Sequence, residues 1–496
     1  MFRKVLIANR GEIVARVAQT LQQMGIVAVA VYSEPDRRSP HVAACDEAYS
    51  LDGRTSAETY LRGDKIIDIA RSCGADAIHP GYGFLSENAE FAEACGKAGV
   101  KFIGPSPKVI RGLGDKVAAK EMFAAAGVPV VPGWSGKADA KIEDIKKHAA
   151  TIGFPVLIKA TAGGGGKGIR VVENVDQLAA GIEAARREAE AAFGDGRVFI
   201  ERYVERPRHV EFQVFGDEHG NVVHLFEREC SIQRRHQKII EESPSPALNP
   251  ALRERMGQAA VTAARVAGYT NAGTVEFLVD ASGDFYFLEV NTRLQVEHPV
   301  TEMVVHHDLV RAQVLVAAGQ RLPFEQESLR QDGHAIECRI YAEDPSRQFV
   351  PSTGTIEHYA APAGPGIRVD SGVLEGSEVS VYYDPMLAKL ILAGRTRMEA
   401  IDRAIWALER FVIMGVKNNV AFLRDLLMHD RFRSGELHTG YLEEHRVCDD
   451  RDGQIPDEAL IVAALAAQGL AHHSGEPAAG THDLGPWEAA GRWRAF

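Results

Sequence analysis

The spacing of apolar and polar positions divides the N-terminal part of the chain into short buried strands and amphipathic helices. Residues 4–8 (KVLIA), 27–32 (VAVAVY), 75–80 (ADAIHP) and 101–104 (KFIG) are rich in apolar and β-branched side chains. They alternate with helical periodicity over residues 13–24 and 89–98. That order predicts a parallel α/β layer, in which ligands bind at loops that follow the strand ends. Two such loops are residues 9–12 (NRGE) and 79–83 (HPGYG). The first strand is not followed by Gly-x-Gly-x-x-Gly, so a nicotinamide dinucleotide is disfavoured.

Further along, strand patterns at 156–159 and 169–172 flank the glycine-rich run 163–168 (GGGGKG). This lacks the Gly-Lys-Ser/Thr and following helix of a Walker loop, but glycine lets backbone amides approach phosphate oxygens closely, and Lys159 and Lys167 add positive charge. A plain surface hairpin explains the run equally well. More informative are strands predicted at 274–280 and 284–291, joined through Ala281, Ser282 and Gly283. A two-residue turn at Ser282-Gly283 places Glu276 opposite Glu289. Facing carboxylates repel unless a cation or proton lies between them, and Asn291 adds an oxygen on the same face, a set that suits magnesium. Phe277, Phe285, Phe287 and Leu288 are the expected buried neighbours. Continued extended backbone would turn Glu289, Asn291, Arg293, Gln295 and Glu297 to one side. Arg293 offers a planar fork for a small oxyanion such as bicarbonate, Gln295 a further donor, and Glu297 a base.

Composition narrows the class. The chain has 496 residues, 45% hydrophobic and 25% charged, with a net charge of -12. It is long enough for two to four packed units, and an acidic balance argues against nonspecific nucleic-acid binding. No apolar run approaches membrane-spanning length, and the start is too short to read as a signal peptide. Cys45, Cys73, Cys95, Cys230, Cys338 and Cys448 show no metal-type spacing. A cytoplasmic protein with neither membrane nor nucleic-acid partners is expected.

The stretch 289–302 (EVNTRLQVEHPVTE) resembles the signature of biotin carboxylases in the ATP-grasp superfamily. Segments 7–17 (IANRGEIVARV), 79–88 (HPGYGFLSEN), 163–168 and 231–244 (SIQRRHQKIIEESP) resemble it in the same order, so the likeness covers residues 1 to about 446. It implies a mixed α/β fold: a Rossmann-like N-terminal domain (1–113), an ATP-grasp domain (114–330) with a mobile glycine-rich lid (131–204), and a C-terminal biotin carboxylase domain (331–446).

The resemblance also implies roles. Lys116 and Lys159 contact ATP phosphates, under a flap containing Gly164, Gly165 and Gly166. Glu201 and Val204 lie near adenine, and His209, Gln233 and His236 line the nucleotide site. Glu276 and Glu289 bind Mg2+ or Mn2+, while Arg293, Gln295 and Val296 hold bicarbonate. Lys238 stands near bicarbonate and the transferring phosphate. Arg339 steadies the biotin enolate, and Tyr82 lies near the ureido ring. From the residues alone, an ion pair between Arg339 and Glu337 explains that arginine as well. The implied partners are a biotin carboxyl carrier domain and a carboxyltransferase subunit, in a homodimer or larger complex, and the wording YDPM at 383–386 is closest to acyl-CoA carboxylase α subunits. Another ATP-grasp carboxylate–amine ligase is the alternative, lacking the RLQVEHP wording; the absence of internal duplication disfavours carbamoyl-phosphate synthesis. Residues 447–496 are expected to be a linker and the opening of a further module, with an alanine-rich helix at 457–470. No Met-Lys-Met tripeptide occurs, so biotin is expected on a carrier in another chain, on a further C-terminal portion, or free.

Overall fold

The computed structural model describes residues 1–135, 142–160, 170–235, 237–445, 447, 461, 463 and 464. Met1–Cys448 forms one compact unit and Asp449–Phe496 a second, in which Ile461, Ala463 and Ala464 are helical. The expected helix at 457–470 and the glycine run 163–168 otherwise lie outside the described residues.

The first sheet comprises β1 (Lys4–Ile7), β2 (Val27–Tyr32), β3 (Glu47–Ser50), β4 (Ala77–His79) and β5 (Lys101–Phe102). All pairs are parallel, in the order β3-β2-β1-β4-β5, the doubly wound arrangement that alternating strands and helices call for. Helix Glu12–Gln23 lays Ile13, Val14, Val17, Ala18 and Leu21 into the core on a helical stripe. The two expected ligand loops are tied together, because the Asn9 amide donates to the carbonyls of Pro80 (2.8 Å) and Tyr82 (2.7 Å). Gly81 permits that clamp: its φ is 62°, and a Cβ there would lie 2.8 Å from Asn9 Nδ2.

A four-stranded sheet, β6 (Gly133–Ser135), β7 (Val156–Ala160), β8 (Arg170–Val172) and β9 (Val198–Arg202), runs in the order β6-β9-β7-β8. It has its own small core, including Ile145, Val156, Ile158, Leu178 and Ile182. The largest sheet contains β10 (Arg208–Gly216), β11 (Val222–Arg234), β12 (Gln237–Ser243), β13 (Asn271–Val279), β14 (Phe285–Asn291), β15 (His334–Tyr341), β16 (Ile367–Ser371) and β17 (Met386–Gly394). Its order is β14-β13-β10-β11-β12-β15-β17-β16. Strands on both sides of residue 330 therefore share one hydrogen-bonded sheet, joined where β12 pairs with β15.

The hairpin β13–β14 differs from the expected one. Its loop is Ala281, Ser282 and Gly283, closed by Asp280 N–H donating to the Asp284 carbonyl (2.9 Å), with Gly283 at φ 84°. A three-residue loop alone would offset Glu276 from Glu289. The register slips by one residue between Phe277–Phe287 and Glu276–Glu289, leaving Leu288 as a bulge that restores the expected pairing. The bulge also turns the strand over. Phe285 and Phe287 enter the aromatic core with Phe277, whereas Glu289 and Asn291 emerge on the opposite face. Leu288 is only half-buried, contrary to expectation.

Among the described residues, no helix is long and apolar enough to cross a membrane.

Candidate active site

One face of the large sheet carries a row of charged side chains set by strand register. Glu289 lies opposite Glu276, Glu276 opposite Glu211, and Glu211 opposite Arg228. Farther across, Glu241 opposes Glu337, Arg339 opposes Lys389, and Lys389 opposes Asp370. Glu211, Arg228, Glu241, Glu276, Glu337, Arg339 and Lys389 are buried, and each charge there depends on its neighbours. Arg228 is completely buried and donates to Glu211 (2.6 Å), Gln213 (2.9 Å), Thr301 (2.9 Å) and Thr274 (3.2 Å).

Lys238 is the hub. Its ammonium reaches Glu297 (2.6 Å) and Glu276 (3.0 Å), and also bonds Glu211. A bulge at Ile239, between the pairs Gln233–Lys238 and Ile232–Ile240, brings Lys238 and Glu241 to the same face. Burial disfavours the ammonium, but the surrounding carboxylates outweigh it and hold the Lys238 pKa well above the ordinary lysine value. Glu297 is fully buried and bridges two cations, accepting from Lys238 and from Arg339 Nη2 (2.9 Å). Burial raises its pKa, yet Lys238, Arg339 and Arg228 pull it well below the usual carboxylate range, which keeps the carboxylate ionised. Glu276 is likewise held low against burial, by Lys238 and by His209, whose Nε2 lies 2.9 Å away.

Glu297 does not continue the strand. Extended structure ends at Asn291, and Glu297 precedes helix His298–Val305 with φ -81° and ψ 11°. The five alternating polar residues still gather around the same cluster, through a turn and not through strand alternation. Asn291 Nδ2 (2.8 Å) and Gln295 Nε2 (3.1 Å) both donate to Glu276, and Arg293 Nη2 donates to Asn291 Oδ1 (3.3 Å). Arg293 Nε is held by Glu87 from the first α/β layer (2.9 Å), which also accepts from Thr292 N (2.9 Å). Val296 is half-buried in this turn, and its carbonyl accepts from Lys389 (2.9 Å).

A second lysine cluster lies on the small sheet. Lys159 donates to Glu201 (2.8 Å), and Lys120 binds the other oxygen of the same carboxylate. Val204 is buried two residues beyond the end of β9, and Gln233 faces Lys238 across β11 and β12. Tyr82 donates to Glu12, and its ring lies 6.0 Å from Lys389 Nζ. Arg339 does not pair with Glu337; its Nε donates to Glu241 (2.7 Å), which overturns the ion-pair alternative. His236, Gly164, Gly165 and Gly166 lie outside the described residues.

The site fits a divalent cation. Glu276 and Glu289 face one another, and each draws positive charge to itself, Lys238 and His209 on Glu276 and Lys116 on Glu289 (2.7 Å). Two carboxylates beside the Asn291 amide make an oxygen-rich set appropriate to magnesium or manganese.

Glu87, Glu211, Arg228, Glu241, Lys120 and Lys389 were not apparent from sequence. Glu211 had a signal: polar His209, Glu211 and Gln213 alternate with apolar Val210, Phe212 and Val214. Lys389 had another, as a lone lysine in the apolar run of β17.

The sequence matches the family models "Biotin carboxylase, N-terminal domain" over residues 1–110, "Carbamoyl-phosphate synthase L chain, ATP binding domain" over 115–325, and "Biotin carboxylase C-terminal domain" over 337–444. It is 51% identical over 465 residues to the mitochondrial methylcrotonoyl-CoA carboxylase subunit alpha of Dictyostelium discoideum, covering 93% of this chain and 66% of that one. The chain thus spans just under two thirds of that relative's length. It is 51% identical to a biotin carboxylase of Halalkalibacterium halodurans, covering 90% of this chain and 98% of that one. The biotin carboxylase domain dimer of Hydrogenobacter thermophilus 2-oxoglutarate carboxylase, solved with MgADP, ADP and bicarbonate, superimposes with a TM-score of 0.86 at 50% identity, covering 90% of this chain and 98% of that one.

Proposed function

Because the chain belongs to the biotin carboxylase family, we propose that it uses ATP and bicarbonate to carboxylate biotin borne on a carrier domain, the first half-reaction of an acyl-CoA carboxylase. The observation that carries this reading is the Glu297 carboxylate shared by Lys238 and Arg339. One base thereby touches both the cation assigned to phosphoryl transfer and the cation assigned to biotin.

Arg293 and Gln295, with Val296, are assigned to bicarbonate. The Arg293 fork, pinned through Nε by Glu87, presents its remaining N–H groups in a fixed direction. Glu297 takes the bicarbonate proton, and the resulting carbonate oxygen attacks the γ-phosphorus while the bond to ADP breaks, giving carboxyphosphate. Lys238 stabilises the charge that develops there, and Lys116 and Lys159 position the phosphates. A divalent cation held by Glu276, Glu289 and Asn291 supplies charge neutralisation at the nucleotide. Carboxyphosphate releases carbon dioxide; its phosphate takes the ureido proton, and the freed nitrogen attacks the carbon. Arg339, always charged, steadies the enolate formed at biotin, with Tyr82 beside the ring. Glu201, Val204, His209, Gln233 and His236 are assigned to the nucleotide pocket, beneath a flap that includes Gly164, Gly165 and Gly166.

We assign residues 1–113, 114–330 and 331–446 to the three domains of this unit, and a carboxyltransferase subunit and a biotin carrier to its partners. A homodimer in a cytoplasmic carboxylase is the proposed setting. The test is phosphate release from ATP, measured with and without bicarbonate and free biotin. Dependence on both supports the assignment; cleavage that ignores bicarbonate and requires another carboxylate rejects it.

A further inference from the structure

The reaction above leaves one fully buried acid on the same sheet face without a task. Glu337 stands two residues before Arg339 on β15 and has no exposed surface. Neither of its carboxyl oxygens has a hydrogen-bond partner. Across the strand pair it faces Glu241, at a separation where side chains meet, and Glu241 Oε2 is also without a partner.

The neighbouring cations are engaged elsewhere. Arg339 gives Nε to Glu241 and Nη2 to Glu297 and Glu241. Lys389 donates to the Val296 carbonyl and lies 3.3 Å from Glu12 and 3.7 Å from Asp370. From the start of helix His298–Val305, Glu297 adds a negative charge, and His298 is held neutral because burial lowers its pKa well below the usual value. On the other face of β15, Ile336, Cys338 and Ile340 pack in an apolar cluster with Ala400, Ile401, Phe422 and Leu423 from helices Arg397–Leu408 and Val420–Met428. A single proton between the two carboxyl groups removes one buried charge and engages the Glu241 oxygen and one of the two Glu337 oxygens that lack a donor.

We propose that Glu337 is a neutral carboxylic acid whose O–H donates to the free oxygen of Glu241, making it a positioning residue for Arg339. The direction of its titration agrees, since burial raises the Glu337 pKa well above the ordinary value and that of Glu241 to about 7. The shared proton fixes the Glu241 carboxylate, which fixes the Arg339 fork against Glu297. The functional part of this inference rests on the assignment of Arg339 to biotin.

Infrared difference spectra between the whole wild-type chain and Glu337→Gln test the protonation directly. The carbonyl stretch of a carboxylic acid should be present at neutral pH in the wild type and lost in the variant. Glu337→Gln keeps an N–H donor for Glu241 and should retain most biotin-dependent turnover, with a flatter decline at alkaline pH. Glu337→Leu removes the donor and should weaken biotin-dependent turnover about tenfold, as the loss of one buried hydrogen bond implies, with KM for ATP unchanged. Identical spectra for wild type and Glu337→Gln overturn the neutral acid. Wild-type biotin kinetics in Glu337→Leu overturn the positioning role. If Arg339→Ala also leaves biotin kinetics intact, the assignment of Arg339 has failed, and the infrared band still reports on Glu337.

Discussion

Replacing Glu297 by glutamine isolates the proposed base. The amide is nearly isosteric, but it keeps one acceptor oxygen where the carboxylate offers two, Oε1 to Lys238 at 2.6 Å and Oε2 to Arg339 at 2.9 Å. Lys238 would still have Glu211 and Glu276, and Arg339 would still have Glu241, so neither cation is stranded and the fold should survive. What disappears is the proton acceptor. General-base catalysis contributes roughly 10²–10⁴ in rate, or about 3–5 kcal/mol of barrier. Bicarbonate-dependent ATP cleavage should fall by that factor, read as phosphate release at saturating bicarbonate and biotin. ATP affinity, measured by calorimetry, should stay within a few-fold, because the nucleotide is assigned to Lys116, Lys159 and the 201–204 segment. Because Lys238 and Arg339 hold the wild-type carboxyl well below the usual range despite its burial, it is already ionised at neutral pH, and raising the pH should not rescue the variant. Less than a tenfold loss of turnover, or a parallel loss of ATP binding, would refute the assignment of Glu297 as base.

Other perturbations test other parts of the charged row. Arg228→Met takes from the buried Glu211 carboxylate one of its two cations, leaving Lys238, and removes the donor of three neutral acceptors; it should destabilise the unit by about 3–5 kcal/mol in chemical denaturation, and adding Glu211→Met should recover part of that loss. Glu289→Gln removes one of the two facing carboxylates and should raise the magnesium concentration needed for half-maximal ATP cleavage, with little change in thermal stability because the residue is partly exposed. Glu242 is pushed up by burial but held at about 2 by His334 and Arg397, so its contribution is present above the unfolded carboxyl pKa and is lost as pH falls toward 2. Arg397→Met should therefore cost more stability at pH 7 than at pH 3, as followed by thermal melting.

Much of the N-terminal layer was readable because local periodicity decides it. The helix expected at 13–24 forms as Glu12–Gln23, and that at 89–98 as Ala89–Lys97. The pairing of Glu276 with Glu289 was also readable, although the two-residue turn invoked for it does not exist. Loop length and bulge compensate, and a bulge depends on tertiary packing, here on Phe285 and Phe287 seeking the aromatic core. Alternation along 289–297 likewise predicted the right group of side chains from a backbone that in fact turns at 296–297. The residues that escaped notice act through distant partners: Glu87 reaches Arg293 from 206 positions away, and Glu241 reaches Arg339 from 98. Nothing in local spacing announces such contacts.

Sharing β12 and β15 in one sheet limits how the chain can be divided. A fragment ending near residue 330 would bare the ladder of β12, leaving amide and carbonyl groups ready to recruit a strand from another molecule. It would also take from Glu241 and Glu297 their common guanidinium. Expression of residues 1–330 alone should therefore yield aggregate, whereas a cut after residue 446 keeps β12 paired with β15.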